Sequence, residues 1–354
     1  MFSSSPNLKV RPVVFYGRFP ALNEVGGITT FAFNIAKSLQ ENDIKYVDLY
    51  HAEGKKVPLD TNVVFLSKVK IFRAFQFLSY VFTPSTIHFF NFSSVRALVL
   101  LAFLPKVMGS RWIGIFHHGD QAKELAKLNI IQRFFFQLGL RRFDRVGCIS
   151  SRQFDFFSEF FQGELCQVTP YIPESNLASN GLNNEALASS FLISGFPSSI
   201  YRIIETLKVL ECLYNEGNVL SVNVCIYGVD NLSEKDCLLS EIKKTVDSLS
   251  WVQLHSHLAS DEFMVVMRGC NLYLRMNSAD SFGLAVAEAI DSGLNVIATN
   301  VCERYPGTYL IEVDDFVYLG KALSHYLNGG KLRDMLAVQE EQNITTRISD
   351  FLRF

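Results

Sequence analysis

Two carboxylates, Asp280 and Glu288, lie in the stretch of the sequence with the clearest chemical pattern. A β-type run ends at Arg275, a turn containing Gly283 follows, and a helical pattern then carries Glu288. The first amides of a helix have no partner within the helix and lie at the positive end of its dipole, so they favour phosphate or sugar hydroxyl groups. The candidate amides belong to Ser281, Phe282, Gly283 and Leu284. The alternative is structural: Asp280 caps the helix and Glu288 faces solvent.

A pair of glycines, Gly26 and Gly27, forms a second candidate site after the first predicted strand. Glycines leave room where a backbone must approach a ligand closely, and Thr29 can cap the helix that follows. Such a pair also occurs in ordinary turns, so the pattern has meaning only beside the other sites.

Two histidines, His117 and His118, follow another predicted strand and precede Asp120. An imidazole here could contact a substrate, or the three side chains could bind a metal ion. Neighbouring side chains on an extended segment point to opposite sides, which argues against a shared metal. His255 and His257 have no third ligand nearby in the sequence, and a strand end is the better interpretation of that pair.

Short β-type runs alternate with helical patterns along the whole chain, which predicts an α/β fold with doubly wound parallel sheets. The runs expected to form strands are 12–17, 45–50, 62–66, 86–92, 111–116 and 145–150 in the first half, and 189–194, 221–227, 251–255, 272–275, 295–299 and 309–313 in the second. Helices are expected between the strands, including 28–39 and 127–142.

Two domains are expected, because 354 residues exceed the size at which single cores stop growing. Residues 169–184 are rich in Pro, Gly, Asn and Ser, the composition of a linker. We therefore expect Rossmann-like domains over 1–168 and 185–330, and a helix over 331–354 that crosses back to the first domain. Open α/β sheets bind ligands at the carboxyl ends of their strands, which here would face each other across a cleft.

Composition excludes several other classes of protein. The formal net charge of −2 does not favour nucleic acid, whose binding needs a concentrated basic face. Seven cysteines without a C-x-x-C pair indicate free thiols in a reducing compartment. The longest apolar run, 97–105, is about half the length of a membrane-spanning helix, and the N-terminal residues lack the apolar core of a signal peptide. We therefore expect a cytoplasmic protein that is neither secreted nor integral to a membrane.

The segment from Arg275 to Thr299 resembles the E-x7-E region of the retaining glycosyltransferase family four, with Asp280 and Glu288 at its two acidic positions. The resemblance implies the two-domain GT-B fold and transfer of a sugar from a nucleotide-sugar donor with retention of anomeric configuration. It implies that Glu288 binds the ribose hydroxyls of the donor and that Asp280 contacts the donor sugar.

The resemblance extends to the first domain. In the resembling family, a histidine at the strand end lies beside the transferred sugar, which assigns this role to His118, with His117 as the second candidate. The loop that carries Gly26 and Gly27 would lie against the donor diphosphate and the acceptor.

Two positions depart from the family pattern. Family members usually carry an Arg soon after the glycine that ends the first strand of the second domain, but here Phe196 follows Gly195. Arg202 could supply the positive charge for the diphosphate, or it could lie on a helix surface. Asp280 stands where the family has a Glu and is shorter by one methylene group.

The sequence contains no Asp-x-Asp triplet, the usual holder of a divalent cation against a nucleotide diphosphate in the other major transferase fold. We therefore expect transfer without a metal ion and without any other cofactor.

Two first-domain segments, 68–82 and 127–142, combine aromatic with basic residues. A helix of this composition can lie in the headgroup layer of an anionic membrane, which would bring the cleft to a lipid-linked oligosaccharide acceptor at the inner face of the plasma membrane. The alternative is an ordinary amphipathic helix packed on the sheet. The stretch from Arg304 to Gly307 is similar to family members that build bacterial surface polysaccharides, whose acceptors are glycans or lipid-linked glycans.

Two rival functions follow from the same residues. A nucleotide-sugar epimerase uses the same two-domain fold but needs no acceptor. A non-catalytic, transferase-like subunit would account for the departures at Asp280 and Phe196.

Overall fold

The computed structural model describes residues 11–19, 27–38, 44–49, 63–92, 94–117, 121–171, 190–227, 237–256, 258–340 and 348–351. Its strands form two seven-stranded sheets, one in each half of the chain. The predicted pair of Rossmann-like, doubly wound domains is therefore confirmed.

The described part of the N-terminal domain contains seven strands and six helices. The strands are β1 Val13–Gly17, β2 Ile44–Asp48, β3 Val63–Phe65, β4 Ile87–Phe92, β5 Arg111–Phe116, β6 Arg145–Cys148 and β7 Glu164–Gln167. The helices are α1 Gly27–Ser38, α2 Lys70–Val81, α3 Arg96–Leu101, α4 Gln121–Ala126, α5 Ile130–Leu140 and α6 Ser151–Ser158. The sheet order is β3-β2-β1-β4-β5-β6-β7, and its neighbouring strands are parallel.

The C-terminal domain repeats this arrangement. Its strands are β8 Ser190–Gly195, β9 Ser221–Ile226, β10 Val252–Ser256, β11 Leu272–Arg275, β12 Asn295–Thr299, β13 Tyr309–Ile311 and β14 Ala337–Val338. Its helices are α7 Ile203–Asn215, α8 Cys237–Asp247, α9 Ser260–Arg268, α10 Leu284–Asp291 and α11 Phe316–Leu327. The order is β10-β9-β8-β11-β12-β13-β14, parallel except for the antiparallel edge strand β14. The last helix, α12 Ile348–Phe351, packs instead on the N-terminal sheet, where Phe351 joins the buried core.

Helices cover both faces of the N-terminal sheet, so its central strands are buried along most of their length, as β5 is from its second residue onward. One face packs against α2, α3, α5 and α6 and has Trp112 and Phe136 at its centre. The other face packs against α1 and α12. Phe282 and Ala287 of the C-terminal domain join this second cluster, so the two domains are in apolar contact beside α10.

In each sheet, successive strands are added first on one side of the first strand and then on the other. The order therefore reverses between β1 and β4 and between β8 and β11. The crevice outside such a switch point is where doubly wound folds bind ligands. The candidate residues of both domains were predicted at the carboxyl ends of these strands or of their neighbours.

Several element boundaries differ from the prediction. Strands β7 and β14 are additional, and the strand expected over 145–150 ends at Cys148 because Ser150 caps α6 by accepting a hydrogen bond from the Gln153 amide. The helix expected from 127 begins at Ile130, since Asn129 and Gln132 form a capping box. Instead of one helix over 331–354, the described residues form a 3₁₀ turn at Leu332–Asp334, then β14 and the short α12.

Candidate functional site

The candidate site lies where two loops meet at the carboxyl ends of β8 and β11. The loop after β8 contains a 3₁₀ turn, Ser199–Tyr201, and its Ile200 carbonyl accepts a hydrogen bond of 2.8 Å from the Ser278 amide in the loop after β11. The guanidinium of Arg275 stacks over the Tyr201 ring, 5.4 Å from its centre. The two loops therefore form one surface at the switch point of the sheet.

Asp280 lies at the mouth of the predicted turn, but protein groups surround its carboxylate. Its Oδ2 accepts hydrogen bonds from Arg275 Nε at 2.8 Å, Arg304 Nη1 at 2.7 Å and Asn277 Nδ2 at 3.2 Å. Its Oδ1 accepts one from the Ser281 amide at 3.0 Å. Burial would raise the pKa of Asp280, but the two guanidiniums outweigh it and hold this pKa well below its usual range. About 11% of the side chain is exposed.

Arg304 is the residue that sequence reasoning missed at this site. Its side chain is fully buried and ties the end of β12 to the turn, because its Nε and Nη2 both donate to the Thr299 carbonyl at 3.1 Å. Its Nη1 also lies 3.4 Å from the Phe282 carbonyl. The sequence does contain a signal for this role, because Arg304 follows soon after a buried strand. A charge that cannot reach water there must find a partner within the protein.

Gly283 caps α10 with φ +79° and ψ 74°, in the left-handed region. A Cβ here would lie 2.8 Å from Arg304 Nη1 and 3.2 Å from Asp280 Oδ2. Glycine is therefore required both by the backbone conformation and by the buried ion pair beside it. Of the other predicted amides, that of Ser281 already bonds to Asp280, while Leu284 begins the helix.

Glu288 lies one helical turn after Leu284 and is half-buried. It lies three residues before Asp291, whose Oδ2 accepts a hydrogen bond of 2.8 Å from the Tyr171 hydroxyl. Burial raises the pKa of Tyr171, and the nearby carboxylates of Asp291 and Glu288 add to the rise. The structure thus brings Glu288 to the surface where the two domains meet.

Phe196 and Arg202 occupy the loop after β8. The Phe196 ring is 37% exposed and packs on Tyr201 and Tyr227, with ring centres 5.8 and 5.7 Å away. Arg202 caps α7 in a left-handed conformation, with φ 52°. Its guanidinium forms ion pairs with Glu205 at 3.1 Å and Asp314 at 3.0 Å, so a phosphate would have to share this cation with two carboxylates.

On the N-terminal side, Gly26 and His118 lie outside the described residues, while Gly27 begins α1. His117 is buried against Phe31 of α1, with ring centres 4.5 Å apart. Burial lowers its pKa to about 3, so the imidazole is neutral near pH 7.

Possible metal ligands are dispersed in the described ranges, where no group of three or more His, Cys, Asp or Glu side chains could hold an ion. His255 Nε2 pairs with Asn223 Oδ1 at 2.9 Å, and His257 lies outside those ranges.

A polar contact also joins the domains next to Arg304. Glu303 accepts hydrogen bonds from the Ser151 amide at 3.0 Å and from Gln167 Nε2 at 2.9 Å. The Tyr171 and Tyr305 rings meet edge to face at 5.3 Å, and both hydroxyls donate to Asp291. The loop that supports Asp280 therefore also contacts the N-terminal domain.

A separate depression of about 460 Å³ lies at the opposite edge of the N-terminal sheet. Its lining includes Arg111, Arg141, Asp144 and Glu164, at the amino ends of β5, β6 and β7. It is thus remote from the carboxyl ends that form the candidate site.

Comparison with known proteins gives a fold but no family: no protein-family model matches the chain, and no protein of curated function matches it. Among solved structures, S. aureus TarM in complex with fondaparinux, α-GlcNAc-glycerol and UDP is similar over 92% of this chain and 94% of its own, with a TM-score of 0.68 and 10% identity.

Anabaena HepE in complex with UDP-glucose is similar over 90% of both chains, with a TM-score of 0.65 and 13% identity. Sucrose-phosphate synthase from Thermosynechococcus elongatus is similar over 90% of both chains, with a TM-score of 0.63 and 14% identity. The likeness covers both domains and shows the GT-B fold.

Among the described residues, none of the helices combines the length and the apolar character needed to cross a membrane.

Proposed function

We propose that the protein is a retaining glycosyltransferase that moves a sugar from a nucleotide-sugar donor to a glycan or lipid-linked acceptor, in the synthesis of a bacterial surface polysaccharide. The observation that carries the proposal is the turn at Gly283, which opens α10 at the switch point and places Glu288 one turn along the same helix. The fold shared with structures that contain UDP or UDP-glucose supports the same class of donor.

In this proposal the donor diphosphate binds at the amides of Gly283 and Leu284, and Glu288 accepts hydrogen bonds from the ribose hydroxyls. The Gly26-Gly27 loop covers the diphosphate from the other domain. Two guanidiniums surround the single carboxylate of Asp280, which leaves a net positive charge beside the diphosphate. This charge, with Arg202, supplies what the Arg expected at position 196 would have given.

Asp280 contacts the sugar through the exposed part of its carboxylate, and the arginines keep that carboxylate ionised and fixed. His118 lies beside the transferred sugar. In a front-face reaction the bond from the anomeric carbon to the phosphate oxygen breaks, and its electron pair stays on the phosphate. The acceptor hydroxyl attacks the same face and gives its proton to the departing phosphate oxygen. The protein mainly positions the two substrates and stabilises the diphosphate.

A thermal-shift screen over nucleoside diphosphates and their sugars tests the proposal. A ligand that binds only the folded chain at 100 times its Kd adds about 2.7 kcal/mol of stability, which raises the melting temperature by several degrees. We expect one nucleotide series to do so, and its sugar to be transferred with retention. A uniform lack of shift would refute donor binding.

The strongest rival is a non-catalytic subunit, favoured by the ion-paired Arg202 and by Phe196 beside it. This rival predicts no donor binding, whereas a nucleotide-sugar epimerase would convert the donor in the absence of acceptor.

The proposed transfer takes place in the cytoplasm, at the inner face of the plasma membrane, and uses neither a metal ion nor another cofactor. We therefore expect a chelator of divalent cations to leave the transfer rate unchanged, and a chelator-sensitive rate restored by one cation would contradict this part of the proposal.

A further inference from the structure

Three helices of the N-terminal domain share one face of its sheet. Val81 of α2, Leu98 of α3 and Leu140 of α5 all belong to the same buried cluster. Helices α3 and α5 are in close contact, because a Cβ on Gly139 would overlap the Leu98 carbonyl oxygen, and the Phe103 and Phe135 rings lie 4.5 Å apart. The outward sides of the three helices therefore form a single outer surface, which we name the α2–α3–α5 surface.

Large exposed apolar side chains are concentrated on these three helices and in the segments next to them. Of the nineteen large hydrophobic residues that are exposed in the described ranges, eleven lie between 69 and 134, with 42–91% of each exposed. They are Val69, Ile71, Phe72, Phe75, Phe82, Leu100, Phe103, Met108, Ile130, Ile131 and Phe134. Scattered exposed hydrophobic residues need no explanation, but a concentration of this kind marks an interaction surface.

The charge of this part of the chain is predominantly positive. Residues 61–119 contain six Lys or Arg and no Asp or Glu, and residues 61–143 contain eleven Lys or Arg and two acids, although the whole chain has a net charge of −2. Of the two acids, Glu124 is used internally: its carboxylate accepts hydrogen bonds from Ser94 Oγ at 3.1 Å and the Val95 amide at 3.0 Å. Lys106 and Arg111 pair with Asp144 at 2.5 and 2.9 Å, but this part of the chain still has more basic than acidic residues among its apolar side chains.

Two arginines show how the charge is held at the helix starts. Arg73 donates from Nε to the Ser67 carbonyl at 2.9 Å, and Arg133 donates from Nε to the Leu128 carbonyl at 3.1 Å. Both guanidiniums therefore stay beside the exposed first turns of α2 and α5. Basic residues around aromatic and aliphatic side chains are the composition of helices that lie in the headgroup layer of anionic membranes.

From these observations we infer that the α2–α3–α5 surface docks on an anionic lipid bilayer. A second copy of the chain fits less well, since a two-fold interface would place this positive surface against itself. A protein partner fits less well too, since charged residues are depleted at the cores of protein interfaces, whereas here Lys and Arg flank the apolar side chains. The inference rests on the proposed function, for which it supplies the route by which a lipid-linked acceptor reaches the enzyme.

The topology orients the docked domain. Helix α2 follows the carboxyl end of β3, and α5, which comes after β5 and the short α4, leads back to the amino end of β6. Both helices therefore begin towards the edge of the sheet that carries the cleft. Phe72, Phe75, Ile131 and Phe134 are all in the first two turns of these helices. A bilayer that contacts them lies beside the N-terminal half of the cleft, where the acceptor would enter.

Vesicle flotation of the full chain tests the inference. We expect binding to vesicles that contain phosphatidylglycerol, weaker binding at high salt, and little binding to phosphatidylcholine alone. The variant F72Q/F75Q/I131Q/F134Q should bind the anionic vesicles at least about tenfold more weakly, because it removes most of the inserted apolar area. The matched control V265Q/V317Q changes side chains of the C-terminal domain that are 69% and 73% exposed, and should bind like the parent chain.

Equal binding by the parent chain and the quadruple variant would overturn the inference, as would a parent dimer that the quadruple substitution dissociates without any vesicle binding. Nucleotide-induced thermal shifts measured in parallel separate the two proposals. A parent chain that binds a nucleotide but no vesicles contradicts only the docking surface, whereas one that binds vesicles but no nucleotide contradicts only the proposed transferase.

Discussion

The two domains of this chain have the same strand order, yet their helices present different outer surfaces. In the C-terminal domain, α8 and α9 bury Leu239, Ile242 and Phe263 and expose charged residues of both signs on the other side. In the N-terminal domain, α2, α3 and α5 bury an apolar side and expose a second one. Folding requires only the buried side of these helices. The exposed apolar side is therefore an interaction surface of the N-terminal domain.

The interiors differ as well. The N-terminal domain buries neutral histidines, with burial lowering the pKa of His88 to about 4 and that of His117 to about 3. The C-terminal domain instead buries an ionised cluster of Asp280, Arg275 and Arg304. A buried charge is tolerated only with its partners, so this cluster fixes the geometry of one turn, and that turn is the candidate donor site.

The chain contains two tryptophans, one in each domain, and this allows the comparison to be tested by region. Trp112 is buried in the N-terminal sheet, and Trp251 stacks on Tyr214 at 5.0 Å in the C-terminal domain. The W251F variant keeps only Trp112, whose fluorescence reports unfolding of the N-terminal domain. The W112F variant keeps only Trp251, which reports unfolding of the C-terminal domain.

The largest expected effect is that of R304M on the C-terminal domain. Removal of this guanidinium leaves Asp280 with less than its full compensation, and we expect a loss of about 3 kcal/mol in the free energy of unfolding. Denaturant unfolding followed by Trp251 measures this loss, and Trp112 should report a much smaller one. R333M, at an exposed position of the same domain, is the control and should change little. A change in R304M no larger than that in R333M would rule out the anchoring role.

The next effect concerns ligand affinity rather than stability. E288Q keeps the shape of the side chain but removes the charge that receives the ribose hydrogen bonds, so nucleotide affinity should fall by about 2 kcal/mol, roughly 30-fold. The free energy of unfolding should change less, by about 1 kcal/mol at most, since the substitution keeps the volume of a side chain that is only half-buried. Calorimetric titration with the nucleotide found in the screen measures the first quantity, and unchanged affinity would reject the assignment.

Acid should unfold the N-terminal domain first. The folded pKa values of His88 and His117 lie below the ordinary value, so the stability they contribute is present above about pH 6.5 and decreases as the pH falls towards 4. The Asp280 pKa is also lowered, but from a lower starting value, so its contribution persists until the pH falls below about 4.

At about pH 5.8 we therefore expect Trp112 to report a loss of about 2 kcal/mol, about half of it from each histidine, and Trp251 to report less. In H88Q the acid-induced loss reported by Trp112 should be smaller. Equal losses in both domains would contradict the regional difference.

A smaller effect separates two left-handed glycines of the C-terminal domain. The Cβ of G217A would have no other atom within 4 Å. Its free energy of unfolding should therefore fall only by the cost of a left-handed alanine, about 1 kcal/mol. G283A has the same backbone term and also a Cβ in contact with Arg304, so its loss should be larger, about 2 kcal/mol, and nucleotide binding should weaken with it. Equal losses in the two variants, measured by thermal unfolding, would mean that the turn is not held against Arg304.

Most of the fold could be predicted from local patterns in the sequence. The buried strands β8 and β11 were predicted within one residue of their observed ends, because parallel strands covered on both faces are continuous apolar runs. Strand β7 was missed because its four residues include Glu164 and Gln167, and only Leu165 is strongly apolar. Strand β14 has two residues, too few for any period.

The candidate site was predicted in outline only. The turn, its glycine and the helix that carries Glu288 follow from a local pattern in the sequence. The partners of Asp280 do not, since Arg304 lies 24 residues further on and reaches the carboxylate only because β12 pairs with β11. The ion pairs of Arg202 depend in the same way on Asp314, which is 112 residues away in the sequence.

The position of a bound nucleoside diphosphate in a crystal of this chain is the most direct test of the donor site. We predict that its phosphates lie against the amides at Gly283 and that its ribose lies within hydrogen-bond distance of Glu288. A nucleotide bound instead at the opposite edge of the N-terminal sheet, in the depression lined by Arg111 and Arg141, would contradict it.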